Sequence, residues 1–325
     1  MNSINTNFSF VSATKESVLS FVSVREGEVK LGEKLAVFSD LDNFSGKYVV
    51  LGVMEDVGPR ANLGLSGTDA GYTSFLKRFL NMQSNSFLSG SEVLLLGEVR
   101  VNADFTSVDD LRLGVSELDD FLVSLLVPIY KKGLIPILVG GGHNNAYPLI
   151  KACSLVQGAA INVVNCDPHA DFRALEGRHS GNSFSYAMQE GWLANYAVLG
   201  LHQQYNSQSM LDRLVEKECY VTFFEDYLTG HRDFSADLDD VLLQASDVDV
   251  SLGVELDMDA IINMPSSAFT PSGFTIEEVR RYVIKCAKSK KVAYLHLPEA
   301  APKNEREEAV VGKALAYLVS DFIKS

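Results

Sequence analysis

The junction at residues 159–173 constrains the fold of this chain more than any other feature. The apolar run 159–164 leads directly into Asn165-Cys166-Asp167-Pro168-His169-Ala170-Asp171-Phe172-Arg173. An apolar run bounded by turn-forming residues predicts a buried strand. Its polar cluster then lies at the carboxyl end, where open α/β sheets bind ligands. Asp167, His169 and Asp171 alternate, so in an extended segment their side chains point to one side. Two carboxylates and an imidazole on one side make half of a divalent-metal site. Taken alone, D-x-H-x-D is explained equally well as a polar turn.

Two more junctions tip the balance. The apolar run 135–139 ends in Gly140-Gly141-Gly142-His143, and glycines there permit a tight turn and close backbone approach. The strand-like segment 248–256 ends in Asp257-Met258-Asp259, a second alternating acidic pair. His143, Asp167, His169, Asp171, Asp257 and Asp259 thus become candidate metal ligands. A single catalytic ion needs about three protein ligands. Six suit two ions about 3.5–4 Å apart that share a water. Carboxylate and imidazole without thiolate favour Mn²⁺ over Cu⁺ or an iron–sulfur cluster.

GGGH at 140–143, DPHAD at 167–171 and DMD at 257–259, in this order and at these separations, resemble the ureohydrolase family of arginase, agmatinase and formimidoylglutamase. The likeness runs from about Tyr48 to the C-terminus. It implies a three-layer α/β/α fold with a parallel, roughly eight-stranded sheet, and two Mn²⁺ per subunit. It also implies hydrolysis of a linear amidine C–N bond, with Asp171 passing a proton to the leaving amine and Glu299 orienting the amidine. Several details point toward formimidoylglutamase. They are GGGH rather than GGDH, a glutamine-rich segment at 203–204, and Phe184 where arginases carry a shuttle histidine. By the same resemblance, Arg60 and Asn62 fall at the substrate mouth, and Ser180, Asn182 and Phe184 line the cleft. Arg173, with Arg178 and Arg60, is expected to take substrate carboxylates, unless Arg173 pairs with a neighbouring acidic residue. The implied reaction is N-formimidoyl-L-glutamate plus water to L-glutamate and formamide. The alternatives are a guanidino-substrate hydrolase (arginase, agmatinase or guanidinobutyrase) releasing urea, and a non-catalytic metal-binding pseudoenzyme.

The chain departs from the family's usual S-x-D-x-D-x-x-D-P. Glu255 stands for the serine, Ile262 for the last aspartate and Asn263 for the proline. The hydrogen bonds behind the metal ligands must therefore be made differently.

Eight strands are expected, at 48–53, 92–99, 135–139, 159–164, 197–199, 219–224, 248–256 and 291–297. Helices are expected at 72–80, 115–130, from 146, 275–288 and 303–323. Strands alternating with helices predict a parallel sheet covered on both faces. With no linker or repeat in 325 residues, a single domain is expected, with residues 1–47 as an N-terminal extension. Segments 18–24 and 34–38 are candidate edge strands, or a hairpin, there.

A net charge of −14 argues against nucleic acid or an anionic membrane as partner. No apolar run is long enough to span a bilayer. The N-terminus lacks the pattern of a signal peptide. Cys153, Cys166, Cys219 and Cys286 are scattered, the usage of a reducing compartment. A cytoplasmic protein with a small-molecule substrate is the expectation, and the resemblance adds a homo-oligomer.

Overall fold

All eight expected strands are present in the computed structural model, which describes residues 7–245 and 250–325. Ten form one sheet: β1 (Phe8–Ser12), β2 (Ala36–Val37), β3 (Tyr48–Met54), β4 (Val93–Val101), β5 (Ile135–Val139), β6 (Ile161–Cys166), β7 (Leu193–Leu201), β8 (Tyr220–Phe223), β9 (Leu252–Leu256) and β10 (Val292–Leu297). Their order is β1-β4-β3-β5-β10-β9-β6-β7-β8, with β2 beside β4. Every pairing is parallel except β1 with β4.

The extra two strands come from residues 1–47. Segment 34–38 does contribute β2, but segment 18–24 contributes none. The antiparallel edge is Phe8–Ser12 instead, and a short helix, Lys15–Leu19, follows it. Thr14 caps that helix reciprocally with Ser17, which ends the extended run. Of the segment expected at 248–256, residues 248 and 249 lie outside the described residues, and β9 begins at Leu252.

The central strands are buried on both faces, and alternation sorts their side chains into two layers. On β3, Val49, Leu51 and Val53 join one core, while Tyr48 and Val50 join the other. On β6, Ile161 and Val163 share the core of Val49, and Val164 and Cys166 that of Val50. Helices Gly71–Phe79, Ile276–Ala287 and Glu305–Lys324 cover the Val50 face. Helices Val108–Lys131, Ala146–Gln157, Ser183–Gln189 and Gln208–Glu216 cover the Val49 face. Cys166, next to the metal motif, is fully buried and packs in the Val50 layer. No helix among the described residues is long and apolar enough to cross a membrane.

This order positions the site. Strands β5, β10, β9 and β6 are consecutive neighbours, and all four run in the same direction. The residues just past their carboxyl ends therefore share one edge of the sheet.

Candidate metal centre

That edge gathers His143 after β5, Asp167, His169 and Asp171 after β6, Asp257 and Asp259 after β9, and Glu299 after β10. His143 Nδ1 lies 2.9 Å from Asp257 Oδ2, 3.1 Å from Asp167 Oδ2 and 3.0 Å from Asp171 Oδ2. One donor atom from each of these four residues falls within 4.8 Å of all the others. His169 Nδ1 stands 3.5 Å from Asp167 Oδ1 and 3.8 Å from Asp259 Oδ2. Asp167 thus presents one oxygen to each histidine. The remaining valences tie the carboxylates to backbone. His169 N–H donates to Asp167 Oδ1 at 2.7 Å, Asp259 N–H to Asp257 Oδ1 at 2.6 Å, and Ala268 N–H to Asp259 Oδ1 at 3.0 Å.

The turns carrying these groups are built for close approach. Gly140 and Gly141 have φ of +86° and +73°, and a Cβ on Gly141 would lie 2.5 Å from Asn145 Nδ2. Glu55, fully buried, accepts from the N–H groups of Gly58 and Gly142 and from Asn145 Nδ2. Asn145 stands at the start of the helix Ala146–Gln157 without capping it, and its amide instead holds the glycine turn through Glu55. Asp171 and Glu299 have φ of +45° and +68°. Such strain costs about 1–3 kcal/mol per residue and persists only where surroundings enforce it. Glu299 is so enforced: its N–H donates to Gly141 O, and its Oε1 accepts from His143 N–H at 2.6 Å. Asn263 has φ +56°, a value that proline cannot adopt, so the departure from the family's proline has a backbone cause.

The charge balance calls for cations. No lysine or arginine pairs with any of the four aspartates among the described residues. Burial, then the charges of Asp259 and Asp167, push the Asp257 carboxyl well up. Burial, then Asp259, push Glu299 up to about 8. Burial works against a charged His169, yet its contacts with Asp167 carry it up to about 10. Without metal, protons must supply the positive charge these carboxylates need. The donor set therefore fits two divalent ions. His143, Asp167, Asp171 and Asp257 would hold one, and His169, Asp167, Asp257 and Asp259 the other.

A cavity of about 170 Å³ opens over the centre. Asn62, Arg173 and Ser180 line it, together with His169, Asp171, Asp257, Asp259 and Glu299. Arg173 points to the rim and pairs with Glu176 at 3.2 Å, the acidic-neighbour arrangement that the sequence left open. The other expected cleft residues lie elsewhere. Arg178 is buried, donates to Asp119 at 2.8 Å, to Asn182 Oδ1 at 2.7 Å and to Asn144 O, and lies over Tyr147 and Tyr186. Asn182 spends its amide on Arg178, His179 N–H and Gly177 O. Arg60, on the short helix Val57–Ala61, donates to Phe105 O and pairs with Asp56. Phe184 is fully buried behind the centre, edge-on to His143 at 5.3 Å and stacked on Tyr196 at 4.3 Å.

Tyr205, Ser267 and Ala268 also line the cavity, and the sequence reading did not single them out. Tyr205 stacks between His169 and His202, at 5.5 and 5.1 Å. An aromatic residue following the glutamine pair was the one available signal.

Comparison with known proteins agrees with this geometry. A formimidoylglutamase of Staphylococcus aureus is 31% identical over 198 residues, which are 58% of this chain and 60% of that protein. The chain thus aligns with somewhat under two thirds of the relative's length. Among solved structures, formimidoylglutamase from Bacillus subtilis superposes with a TM-score of 0.75 at 18% identity, covering 93% of both chains. A Trypanosoma cruzi formiminoglutamase with Mn²⁺ gives 0.71 at 17%, covering 91% of this chain and 99% of that one. Proclavaminate amidino hydrolase from Streptomyces clavuligerus gives 0.67 at 16%, covering 86% and 92%. At these identities the structural likeness speaks for the fold. Residues 49–323 match the Arginase family, so by motif, fold and the joining of four strand ends into one acidic centre, this chain belongs to the arginase family.

Proposed function

We propose that the protein is a binuclear Mn²⁺-dependent hydrolase of a linear amidine C–N bond, and that its substrate is N-formimidoyl-L-glutamate. The observation that carries this reading is the pairing of a buried carboxylate with a rim guanidinium in one cavity. Glu299 Oε2 makes no aligned hydrogen bond at the floor. Arg173 is the only arginine or lysine in the lining among the described residues. A substrate that is cationic at one end and anionic at the other suits that polarity. The S. aureus relative, a formimidoylglutamase, agrees with it.

Bound metal ions would supply a water acidic enough to serve as nucleophile near neutral pH. The chain's own residues do the rest. Glu299 receives the amidinium through charge-assisted hydrogen bonds. Asp171, at the cavity wall with Oδ2 turned toward His143, carries a proton to the leaving nitrogen. Arg173 exchanges Glu176 for a substrate carboxylate. Because that pair is about half exposed, giving it up costs little. Asn62 and Ser180 border the same cavity and complete the polar wall. The reading extends to a single-domain homo-oligomer in the cytoplasm, and the four unpaired cysteines are in keeping with a reducing compartment.

The test is turnover by Mn²⁺-loaded protein of formimidoylglutamate, arginine, agmatine and guanidinobutyrate. Glutamate and formamide should form from the first alone. Urea from any of the others, with no turnover of formimidoylglutamate, would replace this reading by the guanidino one. Bound metal with no turnover of any of the four would leave a non-catalytic role.

A further inference from the structure

Behind His143, on the side away from the cavity, the core holds a group of polar side chains that the reaction does not use. Glu255 is wholly buried on β9. Tyr294 and His296, both wholly buried, stand on the neighbouring strand β10, where His296 pairs in register with Glu255. Tyr294 donates its hydroxyl to Glu255 Oε1 at 2.8 Å. His296 Nδ1 meets Glu255 Oε2 at 2.6 Å. The same Oε2 lies 3.3 Å from His143 Nε2, close enough for a hydrogen bond though not aligned for one.

The arrangement is built in. A Cβ on Gly253 would lie 2.4 Å from the Tyr294 ring, so only glycine lets that ring lie against β9 and reach Glu255. Phe184 bounds the other side of the His143 imidazole, edge-on at 5.3 Å. Placing a carboxylate in a core costs several kcal/mol before its partners compensate, and an apolar residue would fill the volume without that cost. The feature therefore asks for a role. The position of Oε2 supplies one. It faces the nitrogen of His143 opposite Nδ1, and Nδ1 is the atom turned toward Asp167, Asp171 and Asp257. A ligand imidazole whose far N–H is taken by a carboxylate is fixed in tautomer and orientation, and is a stronger donor.

We propose that Glu255 is a positioning residue for the metal centre. It accepts from His143 Nε2–H and so fixes His143 Nδ1 toward the ion held with Asp167, Asp171 and Asp257, while Tyr294 and His296 hold Glu255 in place. The inference rests on the reading of this site as a metal centre.

The experiment is calorimetric titration of metal-stripped protein with Mn²⁺, with thermal unfolding of the same metal-stripped samples. Wild type should bind two ions. Glu255→Gln keeps the volume but replaces an acceptor oxygen by an amide. It should bind one ion about tenfold to a hundredfold more weakly, leaving the other nearly unaltered. Tyr294→Phe keeps the carboxylate but removes one brace, and should weaken the same ion less. It also serves if the glutamine variant does not fold. Unchanged affinities in a folded variant, whether or not its unfolding temperature moves, would reduce Glu255 to a structural core residue and overturn the proposal. Failure of wild type to bind Mn²⁺ would instead remove the metal reading, and this inference with it.

Discussion

The floor and the rim of the cavity are built on opposite principles. At the floor, His143, Asp167, Asp257 and Asp259 are buried at the ends of three parallel strands, and one oxygen of each carboxylate accepts from a backbone N–H. At the rim, Arg173 and Glu176 have side chains 51% and 38% exposed, and a single ion pair joins them. Moving a floor group means breaking a strand end, whereas moving a rim group means exchanging one solvated partner for another. The floor is thus fit to hold ions in fixed geometry, and the rim to change partners when a substrate arrives.

Substitution at the floor should give the largest effect. Asp257→Asn keeps the size of a side chain that would serve both ions. Metal supplies several kcal/mol of catalysis, and about 1.4 kcal/mol is a factor of ten. Turnover should therefore fall by roughly a thousandfold or more, with less Mn²⁺ retained by elemental analysis. Near-normal kcat would show that the floor is not the reaction centre.

Arg178 looks like a rim residue in sequence but is packed like the floor. Arg178→Ala would leave Asp119 buried without its partner, and should cost about 3–5 kcal/mol of stability. Denaturant unfolding measures this. A loss under about 1 kcal/mol, accompanied by a raised KM, would return Arg178 to the cleft.

Arg173→Lys probes the rim itself. Losing the forked contact to a carboxylate should cost about 1.5–3 kcal/mol, mostly in KM for formimidoylglutamate and with little change in unfolding. An unchanged KM would mean that Arg173 serves only Glu176.

Acidity should also separate the two regions. Contacts with Asp167 hold the His169 imidazolium up to about 10, burial notwithstanding. A metal ion must displace that proton. Since the ion binds the deprotonated ring, affinity should rise with pH up to about 10 and fall as pH drops, with protons released on binding. Calorimetry in buffers of different ionisation enthalpy would count them, and no proton release near pH 7 would contradict the picture of protons standing in for cations.

Arg60→Ala should do least. Its pair with Asp56, at 3.3 Å, is only partly exposed, but it lies near solvent, where such pairs are worth about 0–1 kcal/mol. KM should shift by less than about twofold. A rise comparable with that of Arg173→Lys would move the mouth of the cleft toward residue 60.

How much was legible beforehand follows the same division. Short apolar runs ending in Gly-Gly-Gly-His, Asp-x-His-x-Asp and Asp-x-Asp declare strands and their exits, because burial on two faces and turn chemistry are local properties. They fixed the identity of the six ligand candidates, the α/β class and the resemblance to ureohydrolases. What the chain could not declare was which exits would meet. That was decided by β10 inserting between β5 and β9, a long-range pairing that also brings Glu299 to His143 N–H. Nor could it show that Arg178 turns inward to Asp119, some 59 residues away in sequence, while Arg173 turns outward. Both are arginines in a polar loop, and only the packing of the helix Val108–Lys131 against that loop distinguishes them. Glu255 is the clearest case. In sequence it is a departure from a motif. In the folded sheet, register sets it opposite His296 and behind His143, and the surrounding core gives its charge partners that no local pattern could foretell.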